Sequence, residues 1–184
     1  APVLVRGVLD GADGATLSGS LSGVSGVSLV GGGGSNLLDA SGLSGAPVTF
    51  TGGDANDTLT GGASSADTVD YAAEGSAAVT VNLSTASVSL SGGGTLAAGR
   101  ALDTFGDLDT LSGIENVRTG AGADRVYGSN SANVFETGAG ADTITGGNGF
   151  DSYLLQAGFG ADRITDFEIA DEVLRFSSAV FANR

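Results

Sequence analysis

Large apolar residues between positions 119 and 154 return every nine residues. Val126, Phe135, Ile144 and Tyr153 each take the eighth place of a nonapeptide, and four units follow without a gap: TGAGADRVY, GSNSANVFE, TGAGADTIT and GGNGFDSYL. The sixth place is held by Asp124, Asn133, Asp142 and Asp151 in turn. Self-similarity at a fixed period marks a repeat architecture. Six small, Gly-rich residues followed by an outward–inward–outward triplet predict a tight turn and then a short strand. Two nonapeptides complete one coil: turn, strand, opposite turn, strand. Successive coils then stack at about 4.8 Å, the strand spacing. This register predicts Asp142 over Asp124 on one edge and Asp151 over Asn133 on the other. It also stacks Val126 with Ile144 in one sheet and Phe135 with Tyr153 in the facing sheet. The expected fold is all-β: a right-handed parallel β-roll or β-helix solenoid with one irregular insertion.

The flanking pattern divides the chain. Residues 1–50 read as irregular parallel β-coils, with Ala15–Leu21 and Val24–Val30 as short strands. Their first recognisable unit, Gly31 to Asp39, places Asn36 at the sixth position and Leu38 inward. Residues 51–70 hold the first regular repeats, with Asp57 and Leu59, then Asp67 and Val69. Asp67 follows Asp57 by ten residues, so one residue must bulge. Ala55 stands where the period calls for Gly, which predicts a strained turn. Residues 71–118 interrupt the repeat. VTVNLSTASVSL alternates as a hairpin or a wider coil, and SGGGTLAAGRALDTFGD reads as a surface loop with a helical turn at Ala97–Leu102. Core positions resume at Leu111, Ile114 and Val117. Residues 119–165 form the regular roll, ending with Asp162 and an inward Ile164. Residues 166–184 are expected to cap it, with Phe159, Ile164, Phe167, Ile169, Val173, Leu174 and Phe176 plugging the open end. Asp166, Glu168, Asp171 and Glu172 are expected as a solvated acidic face.

Charge turns this pattern into chemistry. The 184 residues include 21 acidic side chains against seven Arg, with no Lys and no His, for a net charge of −14. Such a balance excludes nucleic acid as a partner and argues against anionic membrane surfaces. No run of about eighteen apolar residues offers a membrane span. Stacked carboxylates about 5 Å apart repel unless something cationic lies between them. No basic side chain falls in the turns, so a cation must come from solvent. Ca²⁺ accepts six to eight oxygens in a flexible cage, whereas Mg²⁺ demands a tight octahedron and keeps its waters. Turns that expose Gly carbonyls and one carboxylate each suit Ca²⁺. The ligand candidates are Asn36, Asp57, Asp67, Asp109, Asp124, Asn133, Asp142, Asp151 and Asp162. The main-chain groups of Gly120, Gly122, Gly138, Gly140, Gly147, Asn148 and Gly149 join them, and Asp107 is a further possibility. Without His, Cys or Lys, Ser/His/Asp and Cys/His triads and His- or Cys-based zinc sites are unavailable. Carboxylates at repeat spacing fit calcium better than catalysis, so no enzyme activity is expected. Phosphate loops require a helix after the glycines and usually a Lys, and this chain offers neither.

The four tandem units resemble the RTX repeat, G-G-x-G-x-D-x-U-x, of Ca²⁺-binding parallel β-rolls. The resemblance implies several Ca²⁺ ions between turns eighteen residues apart, held by the sixth-position Asp and by turn carbonyls. Thr119 and Thr137 depart from the first Gly, Ser129 and Ser131 from the second and fourth, and Asn133 from Asp, which implies weaker binding on the Asn133 edge. LLDASGLSGAPVTFTGG is similar to stretches of secreted adhesins and surface-layer proteins of Gram-negative bacteria. DTLSGIENV and GADRITDFEIADEVLRF resemble segments that precede and close RTX arrays. The family implies export by type I secretion to the outside or the cell surface, with folding on calcium. A surface-layer or adhesin module is the first expectation. The alternative is the C-terminal secretion and folding domain of a secreted hydrolase: a protease, lipase or polysaccharide-modifying enzyme. Expected partners are calcium, a second copy of the chain and cell-surface polysaccharide.

Overall fold

The computed structural model describes residues 3–8, 14–20 and 24–181, with side chains from residue 24 onward. Leu21 and residues 182–184 lie outside the described residues. Gly-rich turns alternate with strands as short as two or three residues, and the chain crosses between two long sheets at each turn. The result is a parallel β-solenoid of about seven turns.

The first sheet contains, in order, Val3–Val8, Val24–Val30, Val48–Thr51, Thr68–Asp70, Asn116–Arg118, Val134–Glu136, Ser152–Leu155 and Val173–Phe176. Every neighbouring pair in it is parallel. The second sheet runs Gly14–Ser20, Leu37–Ser44, Thr58–Thr60, Leu108–Ser112, Arg100–Leu102, Thr80–Asn82, Arg125–Tyr127, Thr143–Thr145 and Arg163–Ile164. In Arg125–Tyr127 and Thr143–Thr145 only the middle residue is buried, as the period-2 alternation of a strand requires. Stacking these inward residues builds the core as two files. Phe50, Val69, Val117, Phe135 and Tyr153 follow one another down the first sheet. Val81, Val126, Ile144 and Ile164 descend the second. The Phe135 and Tyr153 rings stack at 5.4 Å between centroids. Fully burying one such side chain contributes roughly 1.5–3 kcal/mol. Leu38, Leu59 and Leu111 continue the second file upstream.

The insertion differs from the sequence expectation. Val88–Ser89 and Thr95–Leu96 make a small antiparallel hairpin. Residues 97–102 hold no helical turn. Instead Arg100–Leu102 is a strand of the second sheet, antiparallel both to Thr80–Asn82 and to Leu108–Ser112. An antiparallel neighbour needs only a hairpin connection, whereas a parallel one would need another full crossover. Leu96 and Ala101 are buried, and the Asn82 amide donates to the carbonyls of Ala86, Leu96 and Ala97, tying the segment down.

The closing segment also departs from expectation. Ile164 and Phe167 pack against the core, and Phe167 tilts against Tyr153 at 5.9 Å. Val173–Phe176, however, extends the first sheet beside Ser152–Leu155 rather than plugging the roll. That pairing satisfies backbone donors and acceptors. It leaves Ile169 91% exposed and Val173, Leu174 and Phe176 exposed as well.

Candidate cation sites in the turns

The sixth residue of each repeat ends a turn and begins a strand, so its side chain lies along the stacking axis. The N–H of Asp124 donates to Asp142 Oδ1 at 2.8 Å, and that of Asp142 to Asp162 Oδ1 at 3.1 Å. On the opposite edge the N–H of Asn133 donates to Asp151 Oδ1 at 2.8 Å. The same contact recurs upstream, from Asn36 N to Asp57 Oδ1 at 2.7 Å and from Asp57 N to Asp109 Oδ1 at 2.8 Å. Val79 N donates to Asp124 Oδ1 and Val48 N to Asp67 Oδ1. One carboxylate oxygen per coil therefore caps the coil before it.

The other oxygen is where a cation is wanted. Oδ2 of Asp57, Asp124, Asp142, Asp151 and Asp162 is buried with no hydrogen-bond partner. A buried, unpaired, ionised oxygen costs several kcal/mol. An ion between the turns would remove that cost, and hard oxygen donors suit Ca²⁺. Among the described residues no three His, Cys, Asp or Glu side chains form a ready metal cluster. Three sixth-position residues differ. Asp67 Oδ2 accepts the Gly62 N–H at 2.6 Å, and Asn36 Oδ1 accepts that of Gly32 at 2.7 Å. Asn133 Oδ1 accepts the Ser129 N–H at 2.8 Å while its Nδ2 donates to the Glu115 carbonyl at 2.6 Å. Asn133 thus closes its turn with its own amide. Asp109 Oδ2 accepts the Tyr71 hydroxyl at 2.8 Å.

The turns stack as closely as the strands. Ala139 N donates to the Gly120 carbonyl, and Gly140 lies against the carbonyl of Gly122. Gly138 has φ +75°, and a Cβ there would sit 2.0 Å from Gly120 O, so no other residue fits. On the other edge Gly147, Asn148 and Gly149 overlie Ser129 to Ser131: Asn148 N donates to Ser129 O, and Asn148 Nδ2 to Asn130 Oδ1. Ala55, in the place of a glycine, is held at φ 78°, which is the strain its position predicts.

Burial pushes the Asp57, Asp151 and Asp162 carboxyls up to about 6 and that of Asp109 to about 7. It raises Asp67, Asp124 and Asp142 too. Backbone N–H donors oppose the rise at each, and the hydroxyls of Thr119 and Thr137 favour the anions of Asp124 and Asp142. Neighbouring carboxylates add to it, Glu172 and Asp166 at Asp151 for example. The edge is therefore short of positive charge at neutral pH.

Several participants stand at no repeat position. Glu115 Oε2 accepts the Asp67 N–H at 3.1 Å, doing what the next coil's Asp would do. Glu74 and Asp103 come from the insertion. The acidic face expected near the C-terminus is partly structural: Asp166 accepts from Gly146 N and Gly147 N. Glu172 is 8% exposed and accepts from the Tyr153 hydroxyl and Glu168 N. Glu168 and Asp171 are exposed as expected. Spacing carries no signal for Glu74, Asp103 or Glu115. A Thr at the first repeat place, beside an Asp five residues on, was the available signal for Thr119 and Thr137.

Residues 49–65 and 109–153 match the RTX calcium-binding nonapeptide repeat family, in four copies. No curated protein matches the chain. RTX repeats are typical of secreted proteins. No helix among the described residues is long and apolar enough to cross a membrane. Repeats of this family on a parallel solenoid, with a buried, unpartnered carboxylate oxygen at Asp57, Asp124, Asp142, Asp151 and Asp162, make the chain an RTX β-roll protein and a calcium-binding structural module.

Proposed function

We propose that Ca²⁺ ions lie between successive turns on both edges and switch the chain from self-repelling to folded. The free Oδ2 atoms of Asp57, Asp124, Asp142, Asp151 and Asp162 are the carboxylate ligands. Main-chain oxygens of Gly120, Gly122, Gly138, Gly140, Gly147, Asn148 and Gly149 complete the cages. Asn36, Asp67 and Asn133 are the weaker contributors, because their side chains already have turn partners. The observation that carries this reading is the row of five buried carboxylate oxygens without partners.

Extracellular calcium modules bind at roughly 10⁻⁴–10⁻³ M, far above cytosolic free calcium. The chain then stays unfolded inside the cell, passes a type I secretion channel, and folds outside, where binding energy becomes folding energy. We read it as a rigid module of a surface-layer or adhesin protein of a Gram-negative bacterium. The small-residue composition, the absence of Cys and the long degenerate stretch over residues 1–50 support that reading over the C-terminal folding domain of a secreted hydrolase. Circular dichroism with and without calcium tests the switch. A thermally stable β-fold in excess chelator at neutral pH overturns it. Imaging of a calcium-dependent lattice on cells tests the surface-layer assignment.

A further inference from the structure

We propose that the outer face of the second sheet, beyond the insertion, binds an acidic polysaccharide, with Arg125 and Arg163 taking its carboxylate or sulfate groups. The strand register lays out the face. Arg125 pairs with Thr143 and Thr143 with Arg163, so these three residues form one file along the stacking axis. Tyr127 and Thr145 form the file beside it, and the Thr145 hydroxyl meets that of Thr165 at 2.8 Å. Val126, Ile144 and Ile164 alternate with them on the core side, so both files point outward. The face begins where the insertion stops covering it. Thr80 and Asn82 hold the same two files one coil earlier, yet both are buried, and the Asn82 amide donates to the carbonyls of Ala86, Leu96 and Ala97. That segment of the insertion therefore walls one end of the face. From Arg125 onward the face is open: Arg163 and Thr165 are exposed, and Arg125, Tyr127, Thr143 and Thr145 are half-buried.

The positive charge on this face has no internal use. The chain has 21 acidic side chains for its seven Arg, so carboxylates to pair with are plentiful. On the first sheet the same outward geometry does neutralise an arginine: Arg118 bridges Asp70 at 3.4 Å and Glu136 at 3.2 Å, from the coils on either side. Arg125 and Arg163, by contrast, make no ion pair and no side-chain hydrogen bond among the described residues. Their neighbours in the file are Thr80 and Thr143. The acidic residues next to them in sequence are engaged along the stack: Asp124 Oδ1 accepts the Val79 N–H, and Asp162 Oδ1 that of Asp142. Two unpaired guanidinium groups therefore stand two coils apart on one face, on backbones about 10 Å from each other.

The rest of the face selects the ligand. A guanidinium fork grips a planar anion through two parallel hydrogen bonds. The hydroxyls of Tyr127, Thr143 and Thr145 both donate and accept, as sugar hydroxyls require. The Tyr127 ring adds an apolar body with a polar tip, a surface for the C–H face of a sugar. Files that run along the stacking axis suit a linear polymer laid lengthwise, which meets both arginines, whereas a compact anion meets one. Nucleic acid carries a phosphate at every nucleotide, and two arginines on a chain of net charge −14 do not offset that repulsion. An anionic membrane surface is disfavoured for the same reason. Resting on the calcium-folded, cell-surface reading above, this face gives the module its contact with surface polysaccharide.

The test is binding of the full chain, at saturating calcium, to dextran sulfate, to uncharged dextran and to a short oligogalacturonate, read by biolayer interferometry. Circular dichroism checks the fold of every variant. We expect both anionic polymers to bind, more weakly as salt is raised, and dextran not to bind. Arg125→Gln should weaken binding at least about tenfold, and the Arg125→Gln/Arg163→Gln double variant should abolish it. Arg163→Gln alone, at the exposed end of the file, serves if the double variant fails to fold. Arg125→Lys/Arg163→Lys keeps the charge and should keep most of the binding. Arg175→Gln makes the same charge change at an exposed position of the first sheet and should alter nothing. Unchanged binding in the double Gln variant overturns the face, since calcium would then be bridging the polymer to the acidic turns. An equal loss in Arg175→Gln overturns it too, because only net charge would matter. Equal or tighter binding to a single-stranded oligonucleotide or to phosphatidylserine vesicles overturns the polysaccharide assignment. Binding that persists in chelator on an intact β-fold would leave the face standing and remove the calcium switch. A folded, calcium-loaded wild type that ignores both anionic polymers removes the face alone.

Discussion

Replacing Asp142 by Ala removes two separable contributions, and calcium concentration tells them apart. The first is local. Asp142 Oδ1 accepts the buried Asp124 N–H at 2.8 Å, a charge-assisted bond worth about 2 kcal/mol, whose loss also strands the donor. The second is the ion that Asp142 Oδ2 would hold. An ion present at a hundredfold excess over its Kd contributes about 2.7 kcal/mol, and each further decade of free calcium adds about 1.4 kcal/mol. Urea unfolding followed by circular dichroism at two calcium concentrations reads both. Asp142→Ala should cost roughly 5 kcal/mol at high calcium, and its gap from wild type should widen by about 1.4 kcal/mol when free calcium is raised tenfold. Asp171→Ala, at an exposed carboxylate, should stay within about 0.5 kcal/mol of wild type at both. A gap that does not change with calcium would mean that Asp142 only caps its neighbour and holds no ion. Equal costs for Asp142→Ala and Asp171→Ala would refute the register itself.

Other perturbations probe the turns and the edge charge. In chelator, lowering the pH from 8 to 4 should increase β-structure in circular dichroism. Burial raises the folded-state values of Glu74 to about 8, of Asp109 to about 7 and of Asp57, Asp151 and Asp162 to about 6. Their contribution is complete below the unfolded values near 4 and is lost as the pH rises through 6 to 8. With calcium the sign reverses, because protons compete for the same oxygens, so apparent calcium affinity should fall as the pH drops through that window. Gly138→Ala should abolish the calcium-induced fold, since its Cβ would meet Gly120 O at 2.0 Å, whereas Gly92→Ala, with open space around it, should fold normally. Ala55→Gly should relieve the left-handed strain at φ 78°. It should raise stability by about 1 kcal/mol, seen as a melting point about 2–4 °C higher at fixed calcium.

The nonapeptide run was legible because one short period fixes both strand register and turn position. Once Val126 and Ile144 are inward at the same place in units eighteen residues apart, Asp124 and Asp142 have no freedom but to stack, and the structure stacks them. The structure extends the same stacking to Asn36 and Asp57 and to Leu38 and Leu59, 21 residues apart, whose places within their own units were legible but whose register was not. Between residues 71 and 107 that logic has no purchase. Arg100–Leu102 is three residues without a period of its own, and it is a strand only because Thr80–Asn82 and Leu108–Ser112 flank it on both sides. Tertiary pairing overrode a local pattern that suggested a helical turn. Glu115 and Glu172 follow the same rule. Each serves a ladder through a fold-wide contact, one to Asp67 across 48 residues and the other to Tyr153 from the closing segment. Period therefore finds the carboxylates that each coil supplies to its neighbour, and misses those delivered by chain returning from a distance. Glu74 and Asp103 are the extreme case: they come from the insertion, where no period marks them, and each anchors a turn through one oxygen, Glu74 at the Gly53 N–H and Asp103 at those of Phe105, Gly106 and Asp107.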